Sequence, residues 1–291
     1  MIYNLKYGNT RARVSTKGGE LISFEQDGRE YIWQGDADYW QGQNPVLFPV
    51  LCSLKDNKST FEGRDIYLPK HGFARKSDFE LEILKEDSVT LFLKSGEETL
   101  KLYPYSFEFR VTHRIFEKSF DTVFEVTNTD DKNMIFTIGG HTGFNVPIFG
   151  NSSFEDHKIV FDCVENAVNY KAPTGGLIVN VNGDCDVING SDFIKLDYSM
   201  FDNDAIILTN LKSKHVSLLD INGHGVRMRI SDFKALGIWT PAYKKAPFIC
   251  LEPWNGLPSF ENESGKFQDK PFAVILEPGK KYSVSYTVEI I

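Results

Sequence analysis

FEFRVTHRIF, residues 107–116, and DTVFEVTNT, residues 121–129, decide the fold. In the first, Phe107, Phe109, Val111 and Ile115 alternate with Glu108, Arg110, Thr112 and Arg114. That period of two puts successive side chains on opposite faces of a strand with one face buried. The same alternation and β-branched or aromatic enrichment recur in SVTLFLKS (88–95), HVSLLDI (215–221), GVRMRIS (225–231) and YSVSYTVEII (282–291). Asp27-Gly28, Asn182-Gly183, Asn189-Gly190 and Asn222-Gly223 supply the positive φ angles that hairpin turns require.

Helical periodicity is scarce; only DADYWQG (36–42) and SDFIKLDY (191–198) read as single turns. No Gly/Ser- or Pro-rich linker, low-complexity tract or repeat divides the chain, so residues 1–291 are expected to form one all-β domain. A dozen or more antiparallel strands cannot stay in one open sheet and are expected to stack as two or more.

Composition narrows the partners. The net charge of −8 and the lack of a basic tract argue against nucleic acid or an anionic membrane. No apolar run reaches membrane-spanning length and the N-terminus shows no signal pattern, so a cytoplasmic location is expected. Cys52, Cys163, Cys185 and Cys250 form no CxxC pair, and the six histidines show no ligand spacing, so neither disulfides nor a metal site is expected. The 23 Phe and 12 Tyr suit both strands and sugar-binding clefts.

Three stretches depart from the strand pattern. LPKHGFARKSDFE places His71 before Gly72, as an ordinary turn also would. FTIGGHTGFNVPI puts Thr137, Gly139 and His141 on one face, behind two glycines that tolerate the close approach of a backbone or ligand; a bulge with a satisfied core histidine is the plainer reading. PFICLEPWNG puts Phe248, Cys250 and Glu252 on one face, and Pro253, lacking an N–H, is expected to end the strand so that Glu252 sits at a rim facing a cleft. A salt-bridged strand-end glutamate would look the same. Together, a glutamate, two histidines and several tryptophans, Trp254 among them, are the parts of acid/base chemistry on a carbohydrate.

The succession YIWQGDADYW, PVLFPVL, LPKHGFARKSDFE, GGHTGFN, FDNDAII, LGIWTPA and ICLEPWNG resembles the aldose 1-epimerase (galactose mutarotase) family, most of all its shorter branch associated with bacterial lactose operons. The resemblance implies an antiparallel β-supersandwich that interconverts the α and β anomers of a hexose without any cofactor; a free aldohexose is the expected substrate, and the chain is expected to act as a monomer or homodimer. It implies Glu252 as general base, His141 as general acid, His71 as a hydrogen-bond partner near the ring oxygen, and Asp202 or Asp204 on sugar hydroxyls. Glu252 as carboxylate and His141 as imidazolium are expected to stabilise each other's charge.

Where the family commonly reads FPxxGR, this chain reads Phe48-Pro49-Val50-Leu51-Cys52-Ser53, so Ser53 stands in place of an arginine and Lys55, Arg64 or Arg75 are the candidate replacements. Two other readings use the same motifs. One is a hexose-6-phosphate mutarotase with Arg75 and Lys76 as phosphate clamp; the other is a non-catalytic carbohydrate-binding or sensing protein.

Overall fold

The computed structural model describes residues 1–150, 152–173, 176–180 and 182–291. Two large sheets carry the architecture, and their ladders are antiparallel. The nine-stranded sheet runs, edge to edge, Asn189–Lys195, Lys158–Asn166, His215–Leu219, Gly225–Arg229, Lys281–Ile290, Ser119–Asn128, Phe107–Phe116, Ser88–Lys94 and Glu80–Leu84. Phe107–Phe116 pairs with Ser119–Asn128 from Phe107↔Asn128 to Phe116↔Ser119 without a register shift. The alternation is realised: Phe107, Phe109, Val111 and Ile115 are buried, while Arg110 on the other face ion-pairs with Glu82 and Glu108.

The second sheet runs Val168–Lys171, Ile206–Thr209, Ala235–Trp239, Phe248–Asn255, Ile138–Gly140 and Val46–Leu47, and Thr142–Asn145 also pairs with Phe248–Asn255. Its inner face packs on the nine-stranded sheet. Leu236, Ile238, Ile249 and Leu251 join Phe109, Phe124 and Tyr286 in one buried cluster, and flanking segments add to the seam: Phe48 meets Phe109 with ring centroids 4.7 Å apart, Phe136 meets Tyr282 at 5.6 Å, and the Tyr286 hydroxyl donates to Asn44 Oδ1 at 3.2 Å. Its outer face is covered too. Trp33, Phe248 and Cys250 pack with Tyr39, Trp40 and Trp239, and a second cluster joins Leu47, Leu51, Cys52, Ile178, Ile207 and Trp254. All eight residues of Phe248–Asn255 are consequently buried. A continuous apolar run, unlike an alternating one, suits a strand covered on both faces.

The strand does not stop at Pro253. It continues to Asn255, with Pro253 opposite Leu236, and Glu252 lies in the middle of a central strand rather than on a rim. The reason lies in its other neighbour. The partner is Thr142–Asn145 at one end and Ile138–Gly140 at the other, with the ladder interrupted between them. Pro253 falls at this interruption, where no ladder donor is required.

Local features differ from the sequence reading in three places. Residues 191–195 of SDFIKLDY belong to a strand, and the single turn forms at Tyr198–Phe201. Asn189-Gly190 opens that strand instead of forming a hairpin, whereas Asn222-Gly223 does connect His215–Leu219 to Gly225–Arg229. A helix at Glu97–Leu102, too short to display a helical period, forms where Thr99 Oγ1 accepts from the Gly96 N–H at 2.8 Å. Among the described residues no helix is long and apolar enough to cross a membrane.

Candidate active site

Strand register brings the acid and the histidine together. Thr142 pairs with Leu251 and Gly139 with Trp254, so counting inward from either pairing places His141 opposite Glu252. Directly opposed residues in an antiparallel pair sit with their Cβ atoms about 5 Å apart. Their side chains meet on the outer face: His141 Nε2 lies 3.2 Å from Glu252 Oε2. The glycines of GGHTGFN make this close pairing fit. A Cβ on Gly139 would stand 2.5 Å from the Trp254 ring and 2.6 Å from the Pro253 carbonyl oxygen, and one on Gly140 would stand 2.9 Å from Tyr286.

Both groups are deeply buried, with Glu252 2% and His141 7% exposed. The 3.2 Å approach lacks hydrogen-bond geometry, and among the described residues neither Glu252 Oε2 nor His141 Nδ1 has a hydrogen-bond partner. Burial therefore governs their protonation. It raises the Glu252 carboxyl well above the usual range, against the opposing pull of Lys70 and reinforced by Asp204. It lowers His141 to about 3, and the Lys70 and Arg75 charges push the same way. The expectation that each stabilises the other's charge is thus corrected: desolvation favours the neutral carboxylic acid beside the neutral imidazole. This neutral pair holds the same number of protons as the carboxylate–imidazolium pair, so the two forms differ only in which group carries one proton.

A cavity of about 260 Å³ opens over the pair. Trp40 stacks on the His141 ring at 4.8 Å and 25°, Trp239 meets it edge-on at 5.6 Å, and Trp254 lines the same space with its Nε1 buried and unpartnered among the described residues. His71 approaches from a loop, its ring 5.7 Å from that of His141. The Cys52 N–H donates to His71 Nδ1 at 3.1 Å, which leaves the ring proton on Nε2. Burial above all, with the Lys70 and Arg75 charges pushing the same way, holds His71 well below its ordinary value, so it stays a neutral donor. Gly72 is obligatory for this loop: its φ is +69°, and a Cβ there would stand 2.2 Å from the Phe48 carbonyl oxygen.

Of the two aspartates, Asp204 lines the cavity, whereas Asp202 does not; Asp202 follows the Tyr198–Phe201 turn, and its carbonyl accepts from Tyr243. Arg75 lines the cavity and donates to the Lys70 carbonyl at 3.2 Å. Lys76 is exposed and Lys55 is half-buried, both outside the lining, while Arg64 is engaged by Asp130 at 3.3 Å. Ser53 is half-buried and also lies outside the lining; its neighbour Cys52, at a positive φ of 50°, does face the cavity. Lys70 is the residue that sequence reasoning passed over. The signal was its place beside His71 in LPKHGFAR, indistinguishable there from a solvated loop lysine.

Among the described residues one trio meets the spacing of metal ligands: His141, Cys250 and Glu252 bring ligand atoms within 4.8 Å of one another. Sequence spacing does not reveal it, because His141 comes from a neighbouring strand. For cofactors, the described cavity offers two carboxyls, imidazoles, two cations and aromatic walls, a set suited to a small polyhydroxylated ligand.

Comparison with known proteins bears on the family and the fold. A model of the aldose 1-epimerase family matches residues 1–289. The chain is 37% identical to the chromosomal LacX protein of Lactococcus lactis subsp. lactis, with both chains covered in full. It superimposes on a galactose mutarotase related enzyme from Lactobacillus acidophilus with a TM-score of 0.94 and 30% identity, covering 100% of this chain and 97% of the other. A putative glucose-6-phosphate 1-epimerase from Cenchrus ciliaris is 29% identical over 40% of this chain and 43% of its own length.

Proposed function

This chain belongs to the aldose 1-epimerase family, and on that premise we propose that it is a mutarotase interconverting the α and β anomers of a free aldohexose. The observation that carries the reading is the cross-strand pair of Glu252 and His141, adjacent beneath a tryptophan-walled cavity, with Glu252 Oε2 and His141 Nδ1 unpartnered among the described residues. A buried polar atom without a partner is costly, and a sugar hydroxyl at Glu252 Oε2 supplies the missing bond.

Hydrogen bonds from sugar hydroxyls favour the carboxylate, and the Trp40 face accommodates an imidazolium, so ligand binding draws the shared proton from Glu252 toward His141. Glu252 then removes the proton of the anomeric hydroxyl while His141 protonates the ring oxygen, and the C1–O5 bond breaks to an open-chain aldehyde. Rotation about C1–C2 presents the other carbonyl face, and the reverse transfers close the ring. His71, as a neutral donor, holds the sugar near the ring oxygen, and Asp204 accepts from its hydroxyls. A polarimetric or NMR screen of free and 6-phosphorylated aldoses tests the proposal. Acceleration of a free aldohexose well beyond buffer is expected; its absence with every sugar would leave the non-catalytic sugar-binding reading.

One observation favours a second reading, that of a hexose-6-phosphate mutarotase. Lys70 and Arg75 both line the cavity, a cation pair of the kind that binds phosphate, and the similarity to a putative glucose-6-phosphate 1-epimerase points the same way. A screen in which only phosphorylated sugars respond would replace the free-sugar reading with this one.

A further inference from the structure

We propose that His141, Cys250 and Glu252 form a binding site for a thiophilic divalent ion of the zinc class, and that its occupancy blocks the acid/base pair. All three side chains are buried, and their ligand atoms lie within 4.8 Å of one another. Cys250 and Glu252 share one face of a strand two residues apart, and His141 faces them from the neighbouring strand. Zinc–ligand bonds of about 2.0–2.3 Å at a tetrahedral angle separate two ligand atoms by roughly 3.5 Å. The 3.2 Å between His141 Nε2 and Glu252 Oε2 is already near that span. Closing the widest separation requires a movement of about 1 Å, within reach of side-chain torsions.

Charge and chemistry agree with this geometry. A divalent cation held by a thiolate, a carboxylate and a neutral imidazole forms a net neutral assembly, the arrangement that a buried site tolerates best. Binding releases the Cys250 thiol proton, and the Glu252 proton where it is present, to solvent; no electron transfer is involved. His141 and Glu252 line the cavity while Cys250 lies behind them, so the fourth corner of the tetrahedron points to the cavity, where water completes it. The thiolate selects zinc, cadmium or cobalt over magnesium and calcium. Among the described residues Glu252 Oε2 has no hydrogen bond to lose on binding the ion.

The ion-binding claim is tested without reference to catalysis, so it stands or falls separately from the mutarotase reading on which the blocking claim rests. Cys163 and Cys185 are exposed and are first replaced by Ser to silence them. Titration of this protein with Co²⁺ is expected to produce a near-ultraviolet thiolate-to-cobalt band, absent in Cys250→Ala. Glu252→Gln, which keeps the thiol, should weaken Co²⁺ binding on the order of 100-fold and covers the case in which Cys250→Ala fails to fold. In parallel, Zn²⁺ should abolish mutarotation of the parent and spare Cys250→Ala, while Mg²⁺ affects neither. Lack of a thiolate band in the parent, the same band in Cys250→Ala, or activation by Zn²⁺ would each overturn the proposal.

Discussion

The Phe107–Phe116 strand buries His113, and the adjoining strands of the second sheet bury His141, yet the two histidines are treated in opposite ways. His113 shares Nδ1 with the Thr122 hydroxyl at 3.0 Å and donates from Nε2 to the Gly19 carbonyl at 2.9 Å. Among the described residues His141 Nδ1 has no partner, and Nε2 turns toward a carboxyl oxygen that is itself unpartnered there. Burial lowers both, His113 to about 4 and His141 to about 3, so a displaced titration does not separate the structural histidine from the candidate catalytic one. Hydrogen-bond satisfaction does. The same contrast divides the buried glutamates: Glu165 accepts from the Lys212 and Ser213 backbone and the Ser213 hydroxyl, while Glu252 Oε2 receives no hydrogen bond among the described residues. His113 and Glu165 are paired within the fold, and the unpaired Glu252–His141 set beside a cavity marks a place for a ligand.

Substitution at the unsatisfied pair is the strongest way to break this contrast. Glu252→Gln and His141→Asn should each lower kcat for mutarotation by roughly 10²–10⁴-fold, with Tm close to the parent's, since neither removes a hydrogen bond the fold uses. Wild-type rates in either variant would take that residue out of the mechanism.

His113→Ala should do the reverse, costing about 2–4 kcal/mol of stability in denaturant unfolding while the folded fraction keeps its kcat. The pH dependence carries a definite sign. His113 binds its proton more weakly folded than unfolded, so its contribution is fully present above the unfolded value near 6.5 and is lost as pH falls toward the folded value of about 4. Stability of the parent should therefore fall across that window, on the order of 3 kcal/mol from this residue, and His113→Gln should flatten the slope.

Arg75→Ala sharpens the substrate question. With a free aldose it should raise KM only modestly, through its tether to the Lys70 carbonyl. A rise of tenfold or more, confined to a 6-phosphorylated aldose, would favour the phosphosugar reading. The smallest effects are expected at Ser53→Arg, whose parent side chain lies outside the cavity lining, and on treatment with EDTA, which should leave mutarotation intact. Loss with EDTA that a divalent ion restores would mean that the trio around Glu252 holds a required metal.

The antiparallel architecture was legible in the sequence wherever one strand face meets solvent. Phe107–Phe116 and Ser119–Asn128 alternate because burial alternates along them, so the residue pattern carries the geometry directly. The motifs around His71, His141 and Glu252 likewise stood apart from the alternating pattern, and the resemblance they carry pointed to the family. Three things needed the tertiary structure. Continuation of the strand through Pro253 depends on a break in its neighbour, which no local signal encodes. The direct opposition of Glu252 and His141, and the desolvation that drives both toward neutrality, depend on the pairing of segments over a hundred residues apart and on a second layer covering the sheet. The choice of Asp204 over Asp202, and the arrival of Lys70 beside Arg75, depend on how loops from separate strands close over one cavity. Local sequence encodes which face of a strand is apolar; which faces meet, and what they exclude from water, is decided by packing between distant segments.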